Sequence, residues 1–156
     1  MYNTLLTLSR NLFFYKNIGL QDSFETRIYL MFFHFSIMMI IFKKKHIKFS
    51  QSDYDIFFHN IENNLRELGF GDVAVNKKMK EFNKLLYDIL LKLESKSAYT
   101  KNFNINPKTV AKYFDILKDP KSSIFIEFET YFQDFYDFCF ELSLNNMIEG
   151  IIKFKN

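Results

Sequence analysis

The stretch IYLMFFHFSIMMIIF, Ile28 to Phe42, constrains the fold more than any other part of this chain. Tyr29, Met31, Phe33, Phe35, Met38 and Ile41 fall on every side of a helix drawn through it, and a helix that is apolar all round has to be enclosed. The run is about 15 residues, broken by His34 and Ser36, short of the roughly 18 to 20 that cross a bilayer. It is therefore expected to be the buried hub of a helical domain. Ile18-Gly19-Leu20 supplies a glycine stop before it, and Asp22-x-x-Glu25 has the spacing of a capping box, which predicts a helix from about Ser23 to Lys44. Lys43, Lys44 and Lys45 close that helix at the negative end of its dipole. Solvation of the helix exit accounts for them, with a membrane-surface or RNA contact as the alternative.

The rest of the sequence supplies elements to surround the hub. Leu5, Leu8, Leu12 and Tyr15 repeat at helical spacing and read as a packed first helix. The same segment lacks acids and carries Arg10 and Lys16, a composition that also fits an organelle transit peptide. Ser50 or Ser52 can cap a third helix with Tyr54, Phe58, Ile61, Leu65 and Leu68 on its inner stripe. Val75, Met79, Phe82, Leu86, Ile89 and Leu93 give a fourth helix a narrow apolar seam. Glu94 to Asn106 is polar and turn-like, and Asn106-Pro107 opens a short fifth helix that ends before Pro120.

A last long helix begins near Ser123, with Phe128, Phe132, Phe135, Cys139 and Leu142 facing inward. IFIEFE alternates locally like a strand, but the pattern does not persist. Gly150 onward reads as an extended tail. With 156 residues, 48% of them hydrophobic, four Gly and two Pro, the expectation is an all-α single domain over residues 1–156. It has about six helices around a central apolar helix, and 147–156 is the C-terminal tail.

Gly69-Phe-Gly71-Asp-Val-Ala74 satisfies G-x-G-x-x-A, the form of a dinucleotide loop. That fingerprint needs a buried strand leading in and a helix whose free N–H groups meet the pyrophosphate. The residues leading in, HNIENNLREL, are polar and helix-periodic, so the loop is expected to join helix to helix. Gly69 then serves as a left-handed cap, Gly71 as a turn and Asp72 as the cap of the next helix.

No catalytic or metal constellation emerges, and no cofactor is expected. His34, His46 and His59 lack the spacing of a metal site, and His34 reads as a core histidine satisfied by one hydrogen bond. Cys139, the single cysteine, has no pairing partner and reads as an inert buried thiol. Glu127, Glu129, Asp134 and Asp137 form an acidic strip that reads as a solvated face. A net charge of +3 makes no case for DNA binding. Lys77, Lys78, Lys80 and Lys84 differ from an ordinary charged face. Glu81 and Asp88 follow Lys77 and Lys84 by four residues, the less favourable order for helix ion pairs, so these lysines are poorly neutralised within their own helix.

The stretch NLRELGFGDVAVNKKMKEF, followed by LLYDIL, closely resembles the signature of the ubiquinol-cytochrome c chaperone family, L-R-E-x-G-x-G-D-x-x-V-x-K-x-x-K. Arg66, Glu67, Gly69, Gly71, Asp72, Val75, Lys77 and Lys80 stand where that pattern expects them, with Lys78 beside Lys77 in the same block. FETRIYLMFFHFSIMMIIFKK is similar to a second family element, with Arg27 and His34 matching and Lys43 or Lys44 near its terminal base. Phe14-Tyr15 and Ile18-Gly19-Leu20-Gln-Asp are similar to the family's opening helix and turn. The resemblance covers about residues 5 to 90, and the Phe-rich C-terminal half departs from it.

What the resemblance implies is an assembly factor and not an enzyme. Its client would be newly made cytochrome b, with the ribosome and a small partner subunit as further contacts and a peripheral contact with the membrane. The chain begins almost at the domain, so the resemblance implies a bacterial-type member working in the cytoplasm against the inner membrane. Partner binding is assigned to Arg66, Asp72, Lys77, Lys78, Lys80 and Lys84, and the structural loop to Gly69 and Gly71. The alternatives are a helical RNA- or ribosome-binding protein using the lysines and, further off, a nucleotide-dependent oxidoreductase using Gly69 to Ala74.

Overall fold

The computed structural model describes residues 1–97, 103–143, 147 and 149–154. Among the described residues six α-helices carry the fold: α1 (Tyr2–Ser9), α2 (Phe24–Lys44), α3 (Gln51–Glu67), α4 (Asp72–Ser97), α5 (Pro107–Tyr113) and α6 (Ser123–Glu141). A π-helical turn, Phe13–Asn17, precedes α2, and 3-10 turns follow at Asp115–Leu117 and Ile151–Lys153. Among the described residues there is no strand.

At 21 residues, α2 is long and apolar enough to cross a membrane by length and composition, but the fold encloses it. Leu30, Phe32, Phe33, Phe35, Ile37 and Ile41 are fully buried. On one side Phe35 meets Phe57 of α3 at 4.6 Å between ring centroids, and Phe32 meets Phe58 and, on α4, Phe82. On the other, Phe33 meets Phe114 beyond α5 and Phe128 and Phe132 of α6. α1 packs along α2 and touches α3 through Tyr2 and Phe57.

The contacts also fix the helix directions. Lys78 of α4 lies 4.0 Å from Glu25 at the start of α2, and Lys43 at its end pairs with Glu94. Phe33 meets Phe128, and Lys44 donates to the Tyr136 hydroxyl at 3.1 Å. Both α4 and α6 therefore run parallel to α2. They sit on different sides of it, with the α5 segment between them through Lys112–Asp88 and Phe114–Phe128.

The cap residues of α3, α5 and α6 follow the sequence, and that of α2 does not. Ser50, Asn106 and Ser122 cap α3, α5 and α6, each side chain accepting a backbone N–H of its helix's first turn. For α2 the cap is Ser23, whose hydroxyl oxygen accepts the Thr26 N–H at 3.1 Å. Asp22 of the expected capping box instead accepts from Arg27, at 2.9 Å from Nε and 2.6 Å from Nη2. A residue one position off the cap can still be held by charge.

Three other expectations change. The first helix stops at Ser9: Thr7 and Ser9 bond back to the Asn3 and Leu6 carbonyls, and Asn11 Oδ1 accepts the Phe13 N–H. Such local side-chain bonds compete with the helix. Leu12 is therefore exposed, and Phe14 takes the buried place. On α3 the inner stripe includes Phe57 and omits Leu68, which is exposed.

The C-terminal segment is not an extended tail where it is described. Gly150 is helical at φ −72°, Met147 and Ile151 are buried, and the Phe154 ring lies 5.3 to 5.4 Å from Phe135, Tyr131 and Phe138. Met147, Ile151 and Phe154 stand at helical spacing, a signal available in the sequence. The polar stretch expected from Glu94 lies partly outside the described residues, at 98–102. On either side of them α4 continues to Ser97, and Phe103 and Ile105 are buried.

Candidate partner-binding surface

The turn between α3 and α4 is built from its backbone outward. Gly69 has φ +92°. Its N–H donates to the Arg66 carbonyl at 2.9 Å and the Phe70 N–H to the Leu65 carbonyl at 3.2 Å, the pair of bonds that satisfies a helix end through a left-handed residue. α4 begins at Asp72, and the Gly71 carbonyl accepts from Val75 N–H at 2.9 Å. Gly71 thus stands at the capping position that the sequence suggested for Asp72.

Asp72 lies in the first turn, where its charge suits the positive helix end, and pairs with Arg66. Arg66 also donates to Glu62 at 2.9 Å, so one guanidinium braces the end of α3 against the start of α4. The strand-turn-helix of a dinucleotide loop is replaced here by helix, turn and helix.

The two glycines should respond differently to substitution. A Cβ on either meets nothing within 4 Å, so only backbone conformation distinguishes them. Gly69→Val forces a β-branched residue to positive φ and is expected to cost about 1 to 2 kcal/mol. Gly71→Ala is expected to stay within about 0.5 kcal/mol. Urea denaturation of both variants measures the difference; equal stabilities would mean that α3 does not end through a left-handed Gly69.

The lysines separate into two groups. Lys78 turns inward over the Phe70 ring, 5.1 Å from its centroid, and toward Glu25, so a lysine that the sequence grouped with the poorly neutralised ones finds its partner on another helix. Lys77, Lys80 and Lys84 are exposed, and among the described residues none of the three has an ion pair. With Val73, Tyr87 and Leu91 they form one outward stripe at steps of 4, 3, 4, 3 and 4 residues. Those three apolar side chains are 85%, 54% and 63% exposed. Lysine charge explains half of this stripe; the sequence reading, which followed the inward seam of α4, missed its apolar half.

The family-like residues of α2 are used inside the fold: Arg27 holds Asp22, His34 is buried, Lys43 holds Glu94 and Lys44 reaches Tyr136. His34 has two partners where one was expected, the Leu30 carbonyl at 2.6 Å and the Tyr131 hydroxyl at 3.0 Å. Burial pushes the Cys139 thiol up, which suits an inert core residue. Burial also pushes the Asp88 carboxyl up, but hydrogen bonds from Lys92, Tyr113 and Lys112 outweigh this and hold it well below the usual range. Asp88 thereby fastens α5 to α4. Among the described residues no group of three His, Cys, Asp or Glu could hold a metal ion.

Comparison with curated proteins finds no match, and neither does comparison with solved structures. The family model described as "Ubiquinol-cytochrome C chaperone" matches residues 16–99, which run from the end of the π-helical turn through the hub helix and the α3–α4 hairpin with its braced turn. That match covers more than half of the chain, and the protein belongs to the ubiquinol-cytochrome C chaperone family.

Proposed function

We propose that this chaperone assists assembly of ubiquinol-cytochrome c reductase by binding newly made cytochrome b along the outward face of α4. The observation that carries the proposal is the division of labour within the family-matched hairpin. Arg66, Asp72, Gly69 and Lys78 are engaged in holding the turn, while Lys77, Lys80 and Lys84 stand in solvent beside exposed Val73, Tyr87 and Leu91. Exposed apolar groups interleaved with unpaired cations suit a protein surface that is apolar with acidic points. In this reading the protein performs no reaction of its own and needs no cofactor. It works in the cytoplasm, held peripherally at the inner membrane, with the ribosome and a small partner subunit as further contacts.

The test is affinity capture from cells followed by mass spectrometry, with the wild type and a Lys77→Glu, Lys80→Glu, Lys84→Glu variant. All three positions are exposed, so the variant should fold normally. Opposed like charges cost several kcal/mol at an interface, so cytochrome b recovery should fall by roughly a hundredfold or more. Normal recovery and normal reductase assembly, with the variant folded and at wild-type abundance, would refute the lysine contact.

The same unpaired lysines favour a second reading, RNA or ribosome binding. Released counterions would make that affinity fall steeply with salt. An affinity for RNA that stays flat with salt would remove it.

A further inference from the structure

The outward face of α6 matches the outward face of α4. On α4, Val73 and Tyr87 are exposed and fourteen residues apart, with Lys77, Lys80 and Lys84 between them; on α6, Ile126 and Phe140 are exposed and fourteen residues apart, with Thr130, Asp134 and Asp137 between them. At 1.5 Å per residue each pair of apolar ends is about 21 Å apart along its helix. The charges between the ends are opposite in sign. Among the described residues Asp134 and Asp137, like the three lysines, have no ion pair. Both helices run parallel to α2 on different sides of it, so a neighbouring copy in the same orientation can lay its α6 along α4.

We propose that a second copy of this chain occupies the α4 face through its α6 face. In the parallel register, an offset of 53 residues, Val73 meets Ile126, Lys84 meets Asp137 and Tyr87 meets Phe140, while Lys77 faces Thr130 and Asp134 stands one residue, about 1.5 Å, beyond the level of Lys80. The apolar contacts close both ends of the seam and shield the ion pairs between them. The two faces are different surfaces of one molecule, so the contact is heterologous: each copy offers one of each, and association continues until a ring closes or an open filament grows. The contact goes beyond the client reading and does not depend on it. It also covers the lysines assigned there to the client, so self-association and client binding exclude each other on any one copy.

The experiment is sedimentation velocity of the full chain over a range of concentrations, at low and at high ionic strength. The wild type is expected to gain mass with concentration at low salt and to return toward the single-chain mass at high salt, since exposed charges are screened over about 10 Å at 0.1 M. Lys80→Glu with Lys84→Glu, and separately Asp134→Lys with Asp137→Lys, should each weaken association by at least about tenfold. Mixing the two variants should restore it, because the acidic α4 of one then faces the basic α6 of the other.

A single-chain mass for the wild type at every concentration and salt would overturn the proposal without requiring any variant to fold. Association that survives either charge reversal, or a mixture that stays monomeric, would overturn it too. The α6 variant leaves the lysines intact. Loss of association without loss of cytochrome b capture would therefore uphold this contact separately from the client reading, whereas association that persists while capture is lost would count against both.

Discussion

Phe132→Ala is expected to cost about 3 to 5 kcal/mol, the range for removing a fully buried aromatic ring from a packed core. Phe132 is fully buried on α6. Its ring centroid lies 4.9 Å from His34, 5.7 Å from Phe33, 6.0 Å from Phe14 and 5.0 Å from each of Phe128 and Tyr131. These neighbours belong to α2, to the π-helical turn and to α6 itself, so one ring joins three elements. The surrounding rings are large and rigid and collapse poorly into the vacated space, which places the cost high in that range. Leu12→Ala, at a side chain that the break after α1 leaves exposed, should stay within about 0.5 kcal/mol. Urea denaturation measures both. A Phe132→Ala loss under about 1 kcal/mol would mean that α6 does not dock on α2 through this ring.

The position of Phe132 was legible in the sequence, and that of Phe14 was not. The α6 stripe, Phe128 to Leu142, repeats at helical spacing over about four turns, and the one local side-chain bond beside it, from Thr130 to the Ile126 carbonyl, leaves the helix unbroken, so periodicity alone finds it. Phe14 comes after Asn11, whose side chain accepts the Phe13 N–H and ends the first helix. A spacing argument carried through that break assigns the wrong residues to the core. The same limit applies at the candidate site. The motif assigned Arg66 and Asp72 to a partner and Gly69 to the loop; the structure joins all three in one turn, through contacts that lie within seven residues. That Lys78 turns inward depends on Glu25 and Phe70, and the Glu25 contact comes from a helix some fifty residues earlier, which spacing within α4 does not reveal. The outward stripe that holds Val73, Tyr87 and Leu91 carries the same 4-3 spacing as the inward seam. The two can be told apart only once α2 and α3 show which side is covered.

His34 should make the protein acid-sensitive in a defined window. A carbonyl oxygen only accepts, so Nδ1 donates its hydrogen to Leu30, and in the neutral ring Nε2 accepts from the Tyr131 hydroxyl. Rings of Phe14, Phe132 and Phe135 enclose the imidazole at 4.8 to 6.0 Å. Burial lowers its pKa from 6.5 to about 4, and the bond to Leu30 offsets only part of that shift. The unfolded chain therefore binds a proton that the folded chain refuses between those two values. Stability is fully present above pH 6.5 and falls as the pH drops toward 4, by on the order of 3 kcal/mol in all. The Asp88 carboxylate, held well below the usual range, loses its contribution at lower pH and leaves this window to the histidine. His34→Phe keeps a ring in the aromatic shell and leaves the Tyr131 hydroxyl without its partner, which should lower stability by about 1 to 3 kcal/mol at neutral pH. That variant should lose the steep fall between 6.5 and 4, so the two unfolding free energies converge as the pH drops. Parallel curves for wild type and variant across that interval would show that His34 is not held neutral by its burial.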